Sequence, residues 1–187
     1  LLIGCEITPR HQGHVLIFGA DHCEGYAARH NRSTLDAVQA QGGAAIIAHP
    51  MGADIPHLRI RHQPWFDWDH PVVRGLEIWS YSHDWVHQVA WWKFPFAYSF
   101  WRKPEQQVRG PSPELLASWD RLGAGRPLAG WGGLDAHAYR VDLTGWTVFP
   151  YEQMFRFLRN HLFVREDALR ADPMAALRDA LLNGRGF

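Results

Sequence analysis

Five side chains able to hold a divalent cation sit at or beside apolar runs: Glu6, His14, His49, Asp135 and His137. Glu6 follows Leu1-Leu2-Ile3-Gly4-Cys5. His49 follows Ala44-Ala45-Ile46-Ile47-Ala48, and Asp135 and His137 follow Gly130-Trp131-Gly132-Gly133-Leu134. Neutral imidazole and ionised carboxylate are the ligands that Zn²⁺, Mn²⁺ or Fe take. A carboxylate shared by two such cations holds them about 3.5–4 Å apart, as in two-metal hydrolases. One D-x-H triplet or one His-Pro pair is what chance supplies. The information lies in the order: G-x-E, then H-x-L-x-x-G, then an apolar run ending A-H-P, then G-x-E-I, then G-G-x-D-A-H-A. No G-x-S-x-G, Walker A or G-x-G-x-x-G competes with that set.

The elements that must position these residues are read from apolar patterning. Leu1–Ile7, His14–Gly19, Ala44–Ala48, Gly75–Trp79 and Pro127–Gly133 read as strands. Ser33 reads as the N-cap of a helix to about Gln41, closed by Gly42-Gly43, so the second and third strands look like a βαβ unit. Residues 51–74 read as a long loop. Ser112-Pro113-Glu114 carries a full helix-start signal for a helix to about Leu122. Residues 151–161 and 174–183 also read as helical, the second capped by Asp172-Pro173 and closed by Gly184. Strands alternating with helices make an α/β chain with an expected parallel sheet. Four of the five candidate ligands then fall at the C-terminal ends of strands, the edge where such folds build sites. His14 is the exception, because it starts its strand.

Composition bounds the reading. The chain has 187 residues, 47% hydrophobic, with 19 Lys+Arg against 19 Asp+Glu. This excludes fibrous and wholly disordered classes. It also argues against a nucleic-acid binder driven by bulk charge. Cations are 17 Arg and 2 Lys, and there are 12 His. Cys5 and Cys23 form no C-x-x-C pair and suggest no disulfide framework, so Cys5 reads as a core thiol. No apolar run approaches the ~20 residues of a membrane span. No signal peptide is visible. Residues 85–101 hold eight aromatics, from Trp85 to Trp101, and read as a packed helix and loop or as the apolar wall of a substrate pocket.

The ordered set resembles the PHP (polymerase and histidinol phosphatase) superfamily of metal-dependent phosphoesterases, over roughly residues 3–185. Gly4-Cys5-Glu6-Ile7 with His14-Val15-Leu16 is similar to its second motif, Ala48-His49-Pro50 to the third, and Gly133-Leu134-Asp135-Ala136-His137 to the fourth. Phe149-Pro150-Tyr151 and the C-terminal helix with its Asn-Gly-Arg ending look most like the branch that includes carbaryl hydrolase. The resemblance implies a single-domain, distorted seven-stranded (β/α) TIM-like barrel. It implies two or three divalent metals, Zn, Mn or Fe. Glu6 would bridge two of them, His14 and His49 would complete one, Asp135 would bind the other and His137 the third. Glu6 and Asp135 set two negative charges against the four positive charges of two divalent ions. Such a site favours an anionic ester and acidifies water, so the implied reaction is attack by metal-bound hydroxide on a phosphoester, or on a carbamate or other ester.

The family's first motif, an N-terminal H-x-H, is absent. His11-Gln12-Gly13-His14 falls after Glu6 and has the wrong spacing. The expectation is therefore a barrel incomplete at its N-terminus, inactive as this fragment alone. A non-catalytic PHP-like metal-binding or structural domain is the alternative. An amidohydrolase-like barrel ranks low, since Lys93 and Lys103 are the only lysines. Expected partners are a small-molecule substrate, no nucleic acid and no membrane span. Glu77 is expected to orient a ligand at most, and Arg10, His11, His22, His83 and Arg140 to flank the site.

Overall fold

The computed structural model describes residues 4–10, 13–20, 23, 30–52, 54, 56, 61–88, 110–141 and 145–187. Five apolar or Gly-rich runs form one sheet: β1 (Gly4–Ile7), β2 (Val15–Phe18), β3 (Ala44–Ile47), β4 (Val73–Ser80) and β5 (Ala129–Gly133). Their order across the sheet follows the chain, β1-β2-β3-β4-β5. β2 is antiparallel to both of its neighbours, while β3, β4 and β5 are mutually parallel. β1 therefore runs with β3, β4 and β5, and β2 alone runs against them.

Helix α1 (Asn31–Ala40) buries Leu35 and Val38 against one face of this sheet. α3 (Pro113–Gly123) adds Leu115 to the same core. α2 (Tyr81–Gln88) follows β4 without a loop, and the Asp84 carboxylate accepts the Ser80 backbone N–H at 3.2 Å. Beyond the hairpin β6 (Tyr139–Val141)–β7 (Trp146–Val148) come the short helices α4 (Tyr151–Met154) and α5 (Glu166–Ala171), then α6 (Pro173–Leu182). Leu181 and Leu182 of α6, with Leu162, cover Ile46, Ala129 and Trp131 on the opposite sheet face. Burial on both faces explains why β3 is apolar at all four positions rather than alternating.

The barrel expectation is overturned. Among the described residues the sheet is open and mixed, so they form an α/β fold without a TIM-like barrel. Five strands are too few to curl into a closed cylinder of the (β/α) type. The edge where a barrel would add its next strand is occupied differently. Asn160 donates to the Gly132 carbonyl at 2.8 Å and accepts the Gly132 N–H at 2.9 Å, satisfying the β5 edge with a side chain. The βαβ expectation also fails, because β2 and β3 pair antiparallel although α1 lies between them.

Smaller departures are local. α1 starts at Asn31 with His30 as N-cap, and Ser33 instead donates its hydroxyl back to the His30 carbonyl at 2.8 Å. Helix 151–161 shrinks to Tyr151–Met154, and α5 was unforeseen. Ser112 caps α3 by accepting the Leu115 N–H, and Asp172 caps α6 by accepting from Met174 and Ala175, as their sequence signals require. Cys5 is no free core thiol: it forms a disulfide with Cys23, closing a loop of 18 residues. Of the aromatic run, Trp85 falls in α2. Trp91, Trp92, Phe94, Phe96, Tyr98, Phe100 and Trp101 lie outside the described residues, as do His11 and His22. Among the described residues no helix is long and apolar enough to cross a membrane.

Candidate metal centre

The reversed direction of β2 assembles the site. Because β2 is antiparallel, its N-terminal end lies at the same sheet edge as the C-terminal ends of β1, β3, β4 and β5. The register pairs Glu6 with Leu16, and Val15 with both Ile7 and Ile47. His14, immediately before Val15, therefore lands beside Glu6 and beside His49, two residues beyond Ile47. The apparent exception in the sequence becomes a member of the edge.

Glu6, His14 and His49 each offer one ligand atom, and these atoms all lie within 4.8 Å of one another, the only such trio among the described residues. Glu6 Oε1 is 2.9 Å from His14 Nδ1 and 3.5 Å from His49 Nε2. The hydrogen bonds from His14 and then His49 hold the Glu6 carboxyl well below the usual carboxylate range, against the opposing effect of burial. Burial acts to lower the His49 pKa, but the bond to Glu6 and the negative charges of Asp135 and Glu77 overcome it and raise the value. His49 Nε2 is buried without a properly directed hydrogen bond. A buried orphan nitrogen aimed at an ionised carboxylate is what a cation would satisfy, so the donor set fits a borderline divalent metal.

Backbone strain marks the same edge. His49 adopts φ 25° and Asp135 φ 46°, left-handed values that non-glycine residues avoid. Beneath them lies Glu77, only 6% exposed. Its Oε2 accepts the His49 backbone N–H at 3.0 Å. Burial pushes the Glu77 carboxyl up to about 7, although its contacts with His49 pull the other way. Gly133 is glycine for this reason, since a Cβ there would land on Glu77 Oε1.

Asp135 and His137 reach the same cavity but stand beside the trio rather than within it. Ser82 donates its hydroxyl to the Asp135 carbonyl at 2.5 Å, and His137 Nδ1 lies 2.7 Å from that oxygen. His137 stacks on Tyr139 with ring centres 5.0 Å apart. The cavity is about 500 Å³. Its apolar wall includes Trp85, Val86, Val148 and Phe149, and Arg61 stands at its rim.

Sequence reasoning did not single out His62 and His87, and it gave His83 only a flanking role. His83 stacks on His49 at 4.8 Å and His87 follows at 4.3 Å from His83. Burial and the neighbouring His83 lower the His87 pKa to about 4 and also lower that of His62. The His83-x-x-x-His87 spacing was the available signal, since residues four apart share a helix face. His62 carried none, because it sits in a loop without periodicity. Arg10 and Arg140 are exposed and outside the cavity lining. No protein-family model, curated protein sequence or solved structure matches this chain.

Proposed function

We propose that the chain carries a hydrolytic metal centre built on Glu6, His14 and His49, acting on a phosphoester or on a carbamate or other ester. The supporting observation is the convergence of these three ligand atoms from three separate strand ends, with the His49 nitrogen buried and 3.5 Å from the Glu6 carboxylate. The ordered resemblance to PHP metal-dependent hydrolases favours the same reading. A divalent cation there supplies a Lewis acid and an acidified water near neutral pH.

The remaining roles belong to the chain. Glu6 brings the negative charge that retains the cation. Glu77 fixes the strained His49 backbone through its N–H. Asp135 adds a second carboxylate to the cavity, its backbone carbonyl held by the Ser82 hydroxyl. His137, with Nδ1 held at the Asp135 carbonyl, presents Nε2 for a ligand or a leaving group. The wall of Trp85, Val86, Val148 and Phe149 excludes water and suits an aryl substituent.

The test is metal analysis and hydrolysis of p-nitrophenyl phosphate and an aryl carbamate by metal-replete protein. Glu6→Gln is expected to lose bound metal and at least about 100-fold of activity, since even groups behind the ligands are worth 10–100-fold. Asp135→Asn is expected to reduce activity. Unchanged turnover in Glu6→Gln overturns the reading. Metal retained by wild type without turnover of either ester class favours a non-catalytic metal-binding domain.

A further inference from the structure

Two of the three ligands proposed for the metal centre lie inside a covalently closed loop. The Cys5–Cys23 disulfide spans 18 positions, and Glu6 and His14 fall between its ends while His49 falls outside. Cys5 is the residue before Glu6 in β1. Cys5, Ile7 and Cys23 pack against the core on the α1 side, so the alternation of a strand turns the Glu6 side chain to the other face. The sulfur bridge therefore fastens the strand that carries Glu6 without standing among the ligand atoms.

The three ligands are not held equally. His49 follows β3, which is buried at all four positions. His14 leads into β2, which pairs on both sides and buries Val15 and Ile17. β1 pairs with β2 alone among the described residues, and its Gly4 and Glu6 are exposed. Past its C-terminal end the chain is pinned by the buried Pro9 and by the Arg10–His30 bridge. At its N-terminal end the pin is the disulfide. Both cysteines are only half-buried, and exposed disulfides are the labile ones.

We propose that the Cys5–Cys23 disulfide is a redox switch on the metal centre, closed to hold Glu6 in place and opened by a dithiol reductant. The inference rests on the reading of Glu6, His14 and His49 as a metal centre. In the exchange, a thiolate of the reductant attacks one sulfur and forms a mixed disulfide, and the second thiol of the reductant then displaces the cysteine. The S–S bond of the chain breaks and that of the oxidised reductant forms. Two electrons and two protons pass to the chain, leaving Cys5 and Cys23 as thiols. β1 then loosens at its N-terminal end, and the Glu6 carboxylate parts from the two imidazoles, which stay with β2 and β3. Two imidazoles alone bring no negative charge to a divalent cation, so affinity falls.

The experiment is Co²⁺ titration of the chelator-stripped full chain, with the disulfide form set against Cys5→Ser/Cys23→Ser, which lacks thiols that would themselves bind cobalt. The variant is expected to bind about 10–100-fold more weakly, the range for losing a group that positions a metal ligand. Added to Glu6→Gln, the two serines are expected to cost nothing further. Amide hydrogen exchange of the metal-free chain, before and after reduction by dithiothreitol, is expected to show protection lost in β1 and kept in β3. Equal cobalt affinity in the disulfide form and the serine variant, or β1 protection unchanged by reduction, overturns the switch and leaves the centre standing. Protection lost in β3 as well makes the bond a general brace and also overturns the switch. No cobalt bound by the disulfide form overturns the centre itself and the switch with it.

Discussion

Glu77 shows how one buried group can set the behaviour of a site it does not enter. Its carboxyl is raised from 4.5 to about 7 by burial. Between those values the folded chain binds more protons than the unfolded one, so the stability owed to this group falls as pH rises through that window. The shift corresponds to about 3 kcal/mol. Metal-free Glu77→Gln is therefore expected to match wild type near pH 4 and to exceed it by up to about 3 kcal/mol at pH 8, measured by urea unfolding at both. A stability difference that does not change between the two pH values would refute the buried-acid account. Gly133→Ala is the steric counterpart. A methyl group there displaces the Glu77 carboxylate, at a cost of about 1–3 kcal/mol typical of overpacking. Thermal unfolding of the two proteins side by side checks it.

At the level of elements, the site depends on a short, exposed strand. β1 has four residues, alternates between exposed and half-buried positions, and pairs only with β2 among the described residues. Cys5 in β1 is tied to Cys23, and this bond anchors the strand that carries Glu6. Closing a loop of this size is worth about 3 kcal/mol in the chain-entropy view. Reduction, or Cys5→Ser with Cys23→Ser, is expected to lower stability by about that amount and to weaken metal binding. Calorimetry with and without reductant measures the first effect and cobalt affinity the second. Equal affinity in both redox states would show that the disulfide does not position Glu6. The loop before β4 is held by different means. The Arg126 guanidinium donates to the carbonyls of Trp68, Val73 and His70, and Asn31 donates to Asp67 at 2.7 Å. These bonds give residues 67–73 a fixed path into β4.

For the whole molecule, Glu6, His14 and His49 join β1, the start of β2 and the end of β3, so the metal binding proposed for them would be linked to folding. Adding Zn²⁺ to the metal-free chain is expected to raise the melting temperature, by about 2.7 kcal/mol of stability at a hundredfold excess over Kd. Glu6→Gln should remove most of that gain. An equal Zn²⁺ response in the variant would show that the stabilising ion binds elsewhere. The core that this linkage acts on lies on both sheet faces. Leu35 and Leu76 are fully buried on the α1 side, and truncating Leu35 to Ala is expected to cost 2–5 kcal/mol by chemical denaturation.

The sequence by itself determined much of the local structure and offered Glu6, His14 and His49 among five candidate ligands, which the tertiary structure narrowed to a trio. Apolar runs fixed the five sheet strands, because burial selects residue type position by position. Ser112 and Asp172 set their helix starts, because a cap bonds within its own turn. Glu6, His14 and His49 were legible as ligand types in a telling order. Strand direction was decided only by tertiary structure, since an apolar run of four residues reads the same whichever way it pairs. That direction brings His14 to the edge it was expected to miss. The disulfide, the burial of Glu77 and the meeting of His62 with His83 are likewise contacts between distant segments. Local patterning carries no record of them, because each depends on where two parts of the chain meet in space.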